Sequence, residues 1–144
     1  KRPTLMSGIG EILNPAPELP PFALVLVNPG VIVSTAEIFK ALRTRTGTAE
    51  PKPFTGGNVR NFALWLDQLS NDLAAPAIDL APAITQVEAA ITATDDCLLA
   101  RMSGSGATCF GLYATHEQAK AAASSLAKAH PEWWVRAAQT YAPA

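Results

Sequence analysis

The stretch from Leu98 to Tyr113, LLARMSGSGATCFGLY, constrains the fold of this chain more than any other. Apolar runs flank the segment Ser103–Gly106, a pattern that predicts two antiparallel strands joined by a glycine-rich turn. Glycines adopt positive φ at low cost, and without a Cβ they let another backbone or a phosphate approach closely. Successive N–H groups in such a turn can bind an anion, but a tight hairpin turn that binds nothing explains the same residues. The spacing leaves both interpretations open.

The elements around this hairpin predict an α+β fold with a ferredoxin-like, split β-α-β sheet. Phe22–Val27 is a nearly continuous apolar run, typical of a strand that is covered on both faces, and Trp133–Ala138 predicts a last strand. Residues suited to a helix start predict four helices: Ser34, Asn58, Pro82 and Thr115. The resulting order is strand, helices, strand, strand, helix, strand, with extra helices inserted after the first one.

Two other segments are predicted to lack a helix. Prolines follow Gly8–Leu13 closely, so this segment is expected to be a short extended stretch that enters a loop. Thr44–Gly57 holds three glycines and two prolines, which favours a mobile surface loop.

Length, charge and cysteine usage limit the function classes. The 144 residues suffice for one domain with a real core. A net charge of −1 with interspersed signs does not predict a nucleic-acid or membrane-surface partner. The apolar run Phe22–Val33 is broken by Asn-Pro-Gly, and no run reaches the roughly 18 residues of a membrane span. Without a CxxC pair, Cys97 and Cys109 are expected to be buried free thiols rather than zinc ligands.

The residues that could carry chemistry are few. His116 and His130 have no obvious carboxylate or nucleophile partner in sequence. The pairs Asn71-Asp72 and Asp95-Asp96 could each bind a metal, but helix caps and turns explain them more simply. The P-loop pattern is absent, and the charged set that a kinase needs around the transferred phosphoryl group is missing. We therefore expect no catalytic residue and no metal site in this chain.

Four stretches, in order along the chain, resemble conserved segments of the GHMP kinase superfamily: GIGEIL, LVLVNPGVIVSTAEIFKAL, SNDLAAPAI and MSGSGATCFGLY. The last resembles the third conserved motif of the superfamily. GIGEIL and NPGVIVSTAEIF are similar to the members that use a cytidine-containing substrate. Together the stretches span nearly the whole chain, but they resemble only the C-terminal half of such a kinase. This agrees with a sequence that starts at Lys1 without an initiating Met, so we expect a piece of a longer protein.

The resemblance implies that residues 1–144 form the substrate-side, C-terminal domain, and that the ATP-binding N-terminal half is a missing partner. It implies a bacterial, cytoplasmic kinase of the non-mevalonate isoprenoid pathway. The whole enzyme would use ATP and Mg²⁺ to phosphorylate the 2-hydroxyl of a diphosphocytidyl methylerythritol. This half alone is expected to be inactive and to bind no cofactor.

The resemblance also assigns residues. Phe39 would stack on the cytosine ring, Thr35 would line the same pocket, and the Ile9 backbone would meet the cytosine edge between two glycines. Gly104, Ser105 and Gly106 would lie beside the ATP phosphates.

Three alternatives remain at this point. The chain could be a free-standing ferredoxin-like domain that binds a ligand or a partner, or it could belong to another GHMP kinase. Self-association is expected if the apolar face that would pack on the other half is exposed.

Overall fold

In the computed structural model, residues 3–42 and 52–140 are described. They form six strands and five helices. The strands are β1 (Thr4–Ser7), β2 (Ile12–Pro15), β3 (Ala23–Asn28), β4 (Leu99–Met102), β5 (Cys109–Tyr113) and β6 (Trp134–Gln139). The helices are α1 (Thr35–Ala41), α2 (Val59–Asp67), α3 (Ala74–Leu80), α4 (Ala83–Thr92) and α5 (His116–Ala129).

Four strands form an antiparallel sheet in the order β4-β5-β3-β6. The first strand of this sheet therefore lies between the third and the fourth, which is the split β-α-β, ferredoxin-like arrangement. The register pairs Val27 with both Cys109 and Val135, so the glycine turn after β4 lies at the same end of the sheet as the end of β3. The predicted fold class is confirmed.

The sheet is covered on both faces. Alternate residues of β3 point to opposite faces, and Ala23, Val25 and Val27 belong to the larger core with buried residues of α1, α3, α4 and α5. Leu24 faces the other way and packs with Phe62 of α2 in a second, smaller core. Both faces are therefore apolar, as the continuous run of β3 predicts.

All four predicted helices begin directly after the residues that predict their starts. Asn58 and Thr115 each form a complete capping box, and Ser34 accepts a hydrogen bond from the Glu37 N–H. Pro82 precedes the first residue of α4, but α3 is a separate helix whose N-cap, Leu73, makes no side-chain capping bond. α3 carries no capping signal that the sequence analysis could have used.

The N-terminal segment differs from the prediction. Residues 4–15 form the β1–β2 hairpin, in which Met6 pairs with Leu13, rather than one extended stretch entering a loop. The turn requires positive φ at Gly8 (69°) and Gly10 (103°), which glycine adopts without strain. Of the predicted loop 44–57, residues 44–51 lie outside the described residues, and residues 52–57 have no helix or strand.

Candidate functional site

The glycine turn joins β4 to β5 as predicted. The Ser103 N–H donates to the Thr108 carbonyl at 2.9 Å, and the Gly106 N–H donates to the Ser103 carbonyl at 3.0 Å. Gly104 and Gly106 have φ of 57° and 82°, in the left-handed region that favours glycine. A Cβ on Gly106 would lie 2.7 Å from Met102 Sδ, so this position excludes side chains by space as well.

The start of α1 lies against this turn. The Thr35 and Ser105 hydroxyl oxygens are 3.0 Å apart, which joins two residues 70 positions apart in sequence. The Asn28 amide, at the end of β3, donates to the Thr108 hydroxyl at 2.9 Å. The Asn28 side-chain oxygen in turn accepts from the Gly30 N–H at 2.8 Å. The structure therefore brings the NPG, ST and SGSG segments together at one end of the sheet.

Asn71 also contacts the turn, and the sequence analysis missed this role. Its side-chain amide donates to the Gly104 carbonyl at 2.8 Å, and its side-chain oxygen accepts from the Leu73 N–H at 3.1 Å. The sequence analysis explained Asn71 as a turn residue, and the second bond agrees with that. The resemblance of SNDLAAPAI to a conserved segment of GHMP kinases was the available signal that Asn71 has a role beyond the turn.

The residues predicted to bind the substrate lie on two elements. Thr35 and Phe39 are four positions apart on α1 and share a face, and Phe39 is 55% exposed beside the fully buried Ile38. Ile9 lies on the separate β1–β2 hairpin and is 99% exposed. Its N–H donates to a Glu11 carboxylate oxygen at 2.6 Å. The contacts described for Ile9 are local, so its predicted place beside Phe39 stays a prediction.

Two ionisable side chains of β5 are desolvated, Cys109 next to the turn and Tyr113 at the opposite end of the strand. Burial, and to a smaller extent the nearby Glu88 carboxylate, raise the pKa of the Cys109 thiol to about 12. Burial also raises the pKa of the Tyr113 hydroxyl, whose bond with the Thr94 hydroxyl opposes that shift. Both cysteines are free thiols, as predicted; Cys109 is buried, but Cys97 is only partly buried.

A polar cleft of about 710 Å³ lies between α1 and α3, next to Asn71. Its charged lining residues are Lys40, Asp72 and Asp79. Within residues 3–42 and 52–140, no three His, Cys, Asp or Glu side chains gather as a metal site. No helix of the described chain is long and apolar enough to cross a membrane.

The two histidines lie away from the turn, at the ends of α5. His130 does have a carboxylate neighbour, Glu132 at 3.5 Å, and it stacks on Trp133 with ring centroids 3.7 Å apart. His116 Nδ1 is buried without a hydrogen-bond partner in the structure.

Comparison with known proteins decides the family. The model described as "GHMP kinases C terminal" matches residues 51–132. The chain belongs to the GHMP kinase C-terminal family. The predicted resemblance is confirmed.

Several curated relatives of this GHMP domain share one name. The 4-diphosphocytidyl-2-C-methyl-D-erythritol kinase of Paramagnetospirillum magneticum is 52% identical over 95% of this chain and 48% of its own length. The protein of that name from Cereibacter sphaeroides is 50% identical over 96% of this chain and 50% of its own length. The chain thus spans about half the length of these relatives.

Solved structures of GHMP kinases share the fold. A 4-(cytidine 5'-diphospho)-2C-methyl-D-erythritol kinase superposes with a TM-score of 0.68 at 30% identity, over 94% of this chain and 49% of that one. A homoserine kinase from Cytophaga hutchinsonii gives a TM-score of 0.65 at 14% identity, over 96% of this chain and 48% of that one. The second likeness shows the fold alone.

Proposed function

We propose that this chain supplies the C-terminal half of an ATP-dependent kinase that phosphorylates the 2-hydroxyl of 4-diphosphocytidyl-2-C-methyl-D-erythritol. Relatives of that name are about half identical to it over nearly its whole length. The observation that carries the proposal is the bond between the Thr35 and Ser105 hydroxyls. It supports the proposal because it joins α1, which would bind the cytidine end, to the turn that resembles the phosphate-adjacent motif.

The cytidine end of the substrate would be bound by Phe39, Thr35 and Ile9. The exposed Phe39 ring offers a face on which a base can stack. The glycines beside Ile9 let a planar ring approach the backbone. Since the Ile9 N–H already donates to Glu11, a cytosine edge would use the Ile9 carbonyl or displace the Glu11 carboxylate.

The phosphate end would lie beside Gly104, Ser105 and Gly106. Phosphoryl transfer depends mainly on positioning and on charge stabilisation, and a turn fixed by side-chain bonds supplies the first of these. ATP and Mg²⁺ would be bound mainly by the half of the relatives that this chain does not match, and Mg²⁺ would spread the phosphate charge. This chain alone is therefore proposed to be inactive, because half a pocket neither encloses a ligand nor excludes water.

The test is a chimera in which this chain replaces the matching half of the Paramagnetospirillum magneticum relative. ADP release should require both ATP and the diphosphocytidyl substrate, at a rate within about tenfold of the parent enzyme, and homoserine or mevalonate should not replace the substrate. Adding the two halves as separate chains provides a second format. A chimera that melts cooperatively and binds ATP, yet transfers no phosphoryl group to the diphosphocytidyl substrate, would contradict the proposal.

We also propose that the isolated chain self-associates through the β1–β2 hairpin. Leu5, Met6, Ile12 and Leu13 are exposed on it by 44–67%, and adjoining exposed apolar side chains favour association in water.

A further inference from the structure

We propose that Asn71 positions the Ser103–Gly106 turn for phosphoryl transfer, and that Arg101 fixes the segment that carries Asn71. Neither residue is assigned a ligand here, so both are positioning residues. The expected effect on phosphoryl transfer rests on the proposed kinase function. Its structural part can be tested without any activity.

Asn71 uses both ends of its side-chain amide. The nitrogen donates to the Gly104 carbonyl at 2.8 Å, with the Met102 carbonyl further away at 3.5 Å. The oxygen accepts from the Leu73 N–H at 3.1 Å. Only a side chain with a donor and an acceptor on one planar group can make both bonds. An aspartate keeps the second bond but turns an acceptor toward the Gly104 carbonyl.

Arg101 holds the other end of the same segment. Its guanidinium donates to the Leu69 carbonyl, to the Asp67 carbonyl at 2.9 Å and to the Asp67 carboxylate at 3.3 Å. These contacts need the planar fork of arginine, which a lysine cannot reproduce. They attach Asp67, at the end of α2, and Leu69, two residues before Asn71, to strand β4.

The two sets of contacts close a ring. Arg101 lies one residue before Met102 on β4 and binds residues 67–69, and Asn71 returns to Gly104 on the far side of Met102. The segment from Asp67 to Asn71 is thus bonded both to Arg101, before the turn, and to Gly104, within it. Ser105 follows Gly104 directly, so the ring also sets where the Ser105 hydroxyl meets Thr35. Displacing a positioning group by about 1 Å can cost a factor of about 100 in rate.

The first test uses this chain alone and measures amide hydrogen exchange by NMR. Asn71→Asp should raise the exchange rates of the Ser103 and Gly106 amides, which are hydrogen-bonded within the turn, at least tenfold relative to the core of β5. Gln139→Glu makes the same change of charge on an exposed residue at the opposite end of the sheet, and it should leave these rates unchanged. Unchanged exchange in Asn71→Asp would overturn the positioning role.

The second test puts the same variants into the chimeric kinase. Asn71→Asp should lower kcat by ten- to a hundredfold, with the KM for the diphosphocytidyl substrate within twofold, because the cytidine wall is untouched. Equal kcat in Asn71→Asp and Gln139→Glu would overturn the proposal. An inactive parent chimera would count against the kinase function, and the exchange experiment would still decide the structural part.

Arg101→Lys is the second variant if Asn71→Asp does not fold. It keeps the charge and loses the forked contact, and it should raise exchange at the Ser103 and Gly106 amides in the same direction. Exchange rates like those of the unsubstituted chain would overturn the role of Arg101 and the ring.

Discussion

Two glycine-rich turns carry candidate site residues in this protein, and they differ in what holds them. Side chains 33 and 70 positions away in sequence, Asn71 and Thr35, hold the Ser103–Gly106 turn. A side chain only two positions away, Glu11, binds the Gly8–Gly10 turn at Ile9. The strands of the first turn belong to the four-stranded sheet, whereas both strands of the hairpin are exposed along their whole length.

This difference suits the two roles proposed for the turns. Bonds between distant residues exist only in the folded chain, so the Ser103–Gly106 turn is preset before a ligand arrives. Preset dipoles are what a developing phosphate charge requires. A locally held hairpin can adjust to a planar base, since stacking tolerates small shifts better than phosphoryl transfer does. Each of the following substitutions tests whether one turn is coupled to the fold and the other is not.

The largest effect is expected from Gly106→Ala. The new Cβ would lie 2.7 Å from Met102 Sδ and 3.3 Å from Ile84 Cδ1, at a φ of 82°. The left-handed backbone and the overpacking together should lower the free energy of unfolding by about 2–4 kcal/mol. Urea denaturation measures this free energy of unfolding. Gly104→Ala has the positive φ but nothing within 4 Å, and it should cost only about 1–2 kcal/mol. Equal losses would show that packing behind the turn does not matter.

Alkaline pH should weaken the sheet end that carries the glycine turn. The pKa of Cys109 is raised from 9.0 to about 12 in the folded state, so its stabilisation is complete below pH 9 and is lost as the pH rises toward 12. The free energy of unfolding should fall by about 1.4 kcal/mol per pH unit in that range, or roughly 2 kcal/mol by pH 10.5. Cys109→Ala should show a shallower decline in urea titrations. Equal slopes in both proteins would contradict the buried thiol.

Thr35→Val should give a smaller loss. It keeps the shape of the side chain and removes the hydroxyl bonded to Ser105, which is worth about 0.5–1.5 kcal/mol. Exchange at the Gly106 amide, which donates to the Ser103 carbonyl across the turn, should rise, while exchange in the hairpin stays the same. The matched variant Glu11→Gln should change hairpin exchange only. If a substitution at one turn changed amide exchange at the other, the two turns would not be held independently, and the comparison would be contradicted.

The smallest change in stability is expected in the hairpin. Met6 and Leu13 pair on one hairpin face and are 67% and 61% exposed, so replacing both with threonine should alter the free energy of unfolding by less than about 0.5 kcal/mol per site. Sedimentation velocity of the isolated chain should show less self-association. A monomeric parent chain would contradict the proposed association.

The sequence predicted the four-stranded sheet because its signals are local. The apolar run of β3 and the capping boxes at Asn58 and Thr115 lie within a few residues of the elements that they define. The β1–β2 hairpin was missed because TLMS and ILNP show no clean alternation and the second of them ends in a proline. α3 was missed because its N-cap lacks a capping side chain.

The candidate site was only partly predictable. Thr35 and Ser105 were named from a family resemblance, and their contact was not, because hydrophobic periodicity contains no information on pairs 70 positions apart. Asn71 looked like a turn residue because one of its bonds is that of a turn. Its second bond depends on where β4 lies in the sheet, and no local pattern shows this.

Steady-state kinetics of Phe39→Ala and Ser105→Ala in the chimeric kinase test the division of roles most directly. The account predicts that Phe39→Ala raises the KM for the diphosphocytidyl substrate about tenfold, as the loss of one stacked base would, and leaves the KM for ATP unchanged. It predicts that Ser105→Ala lowers kcat and leaves both KM values within about twofold. The same pattern of kcat and KM in the two variants would contradict the assignment of one region to the base and the other to the phosphate.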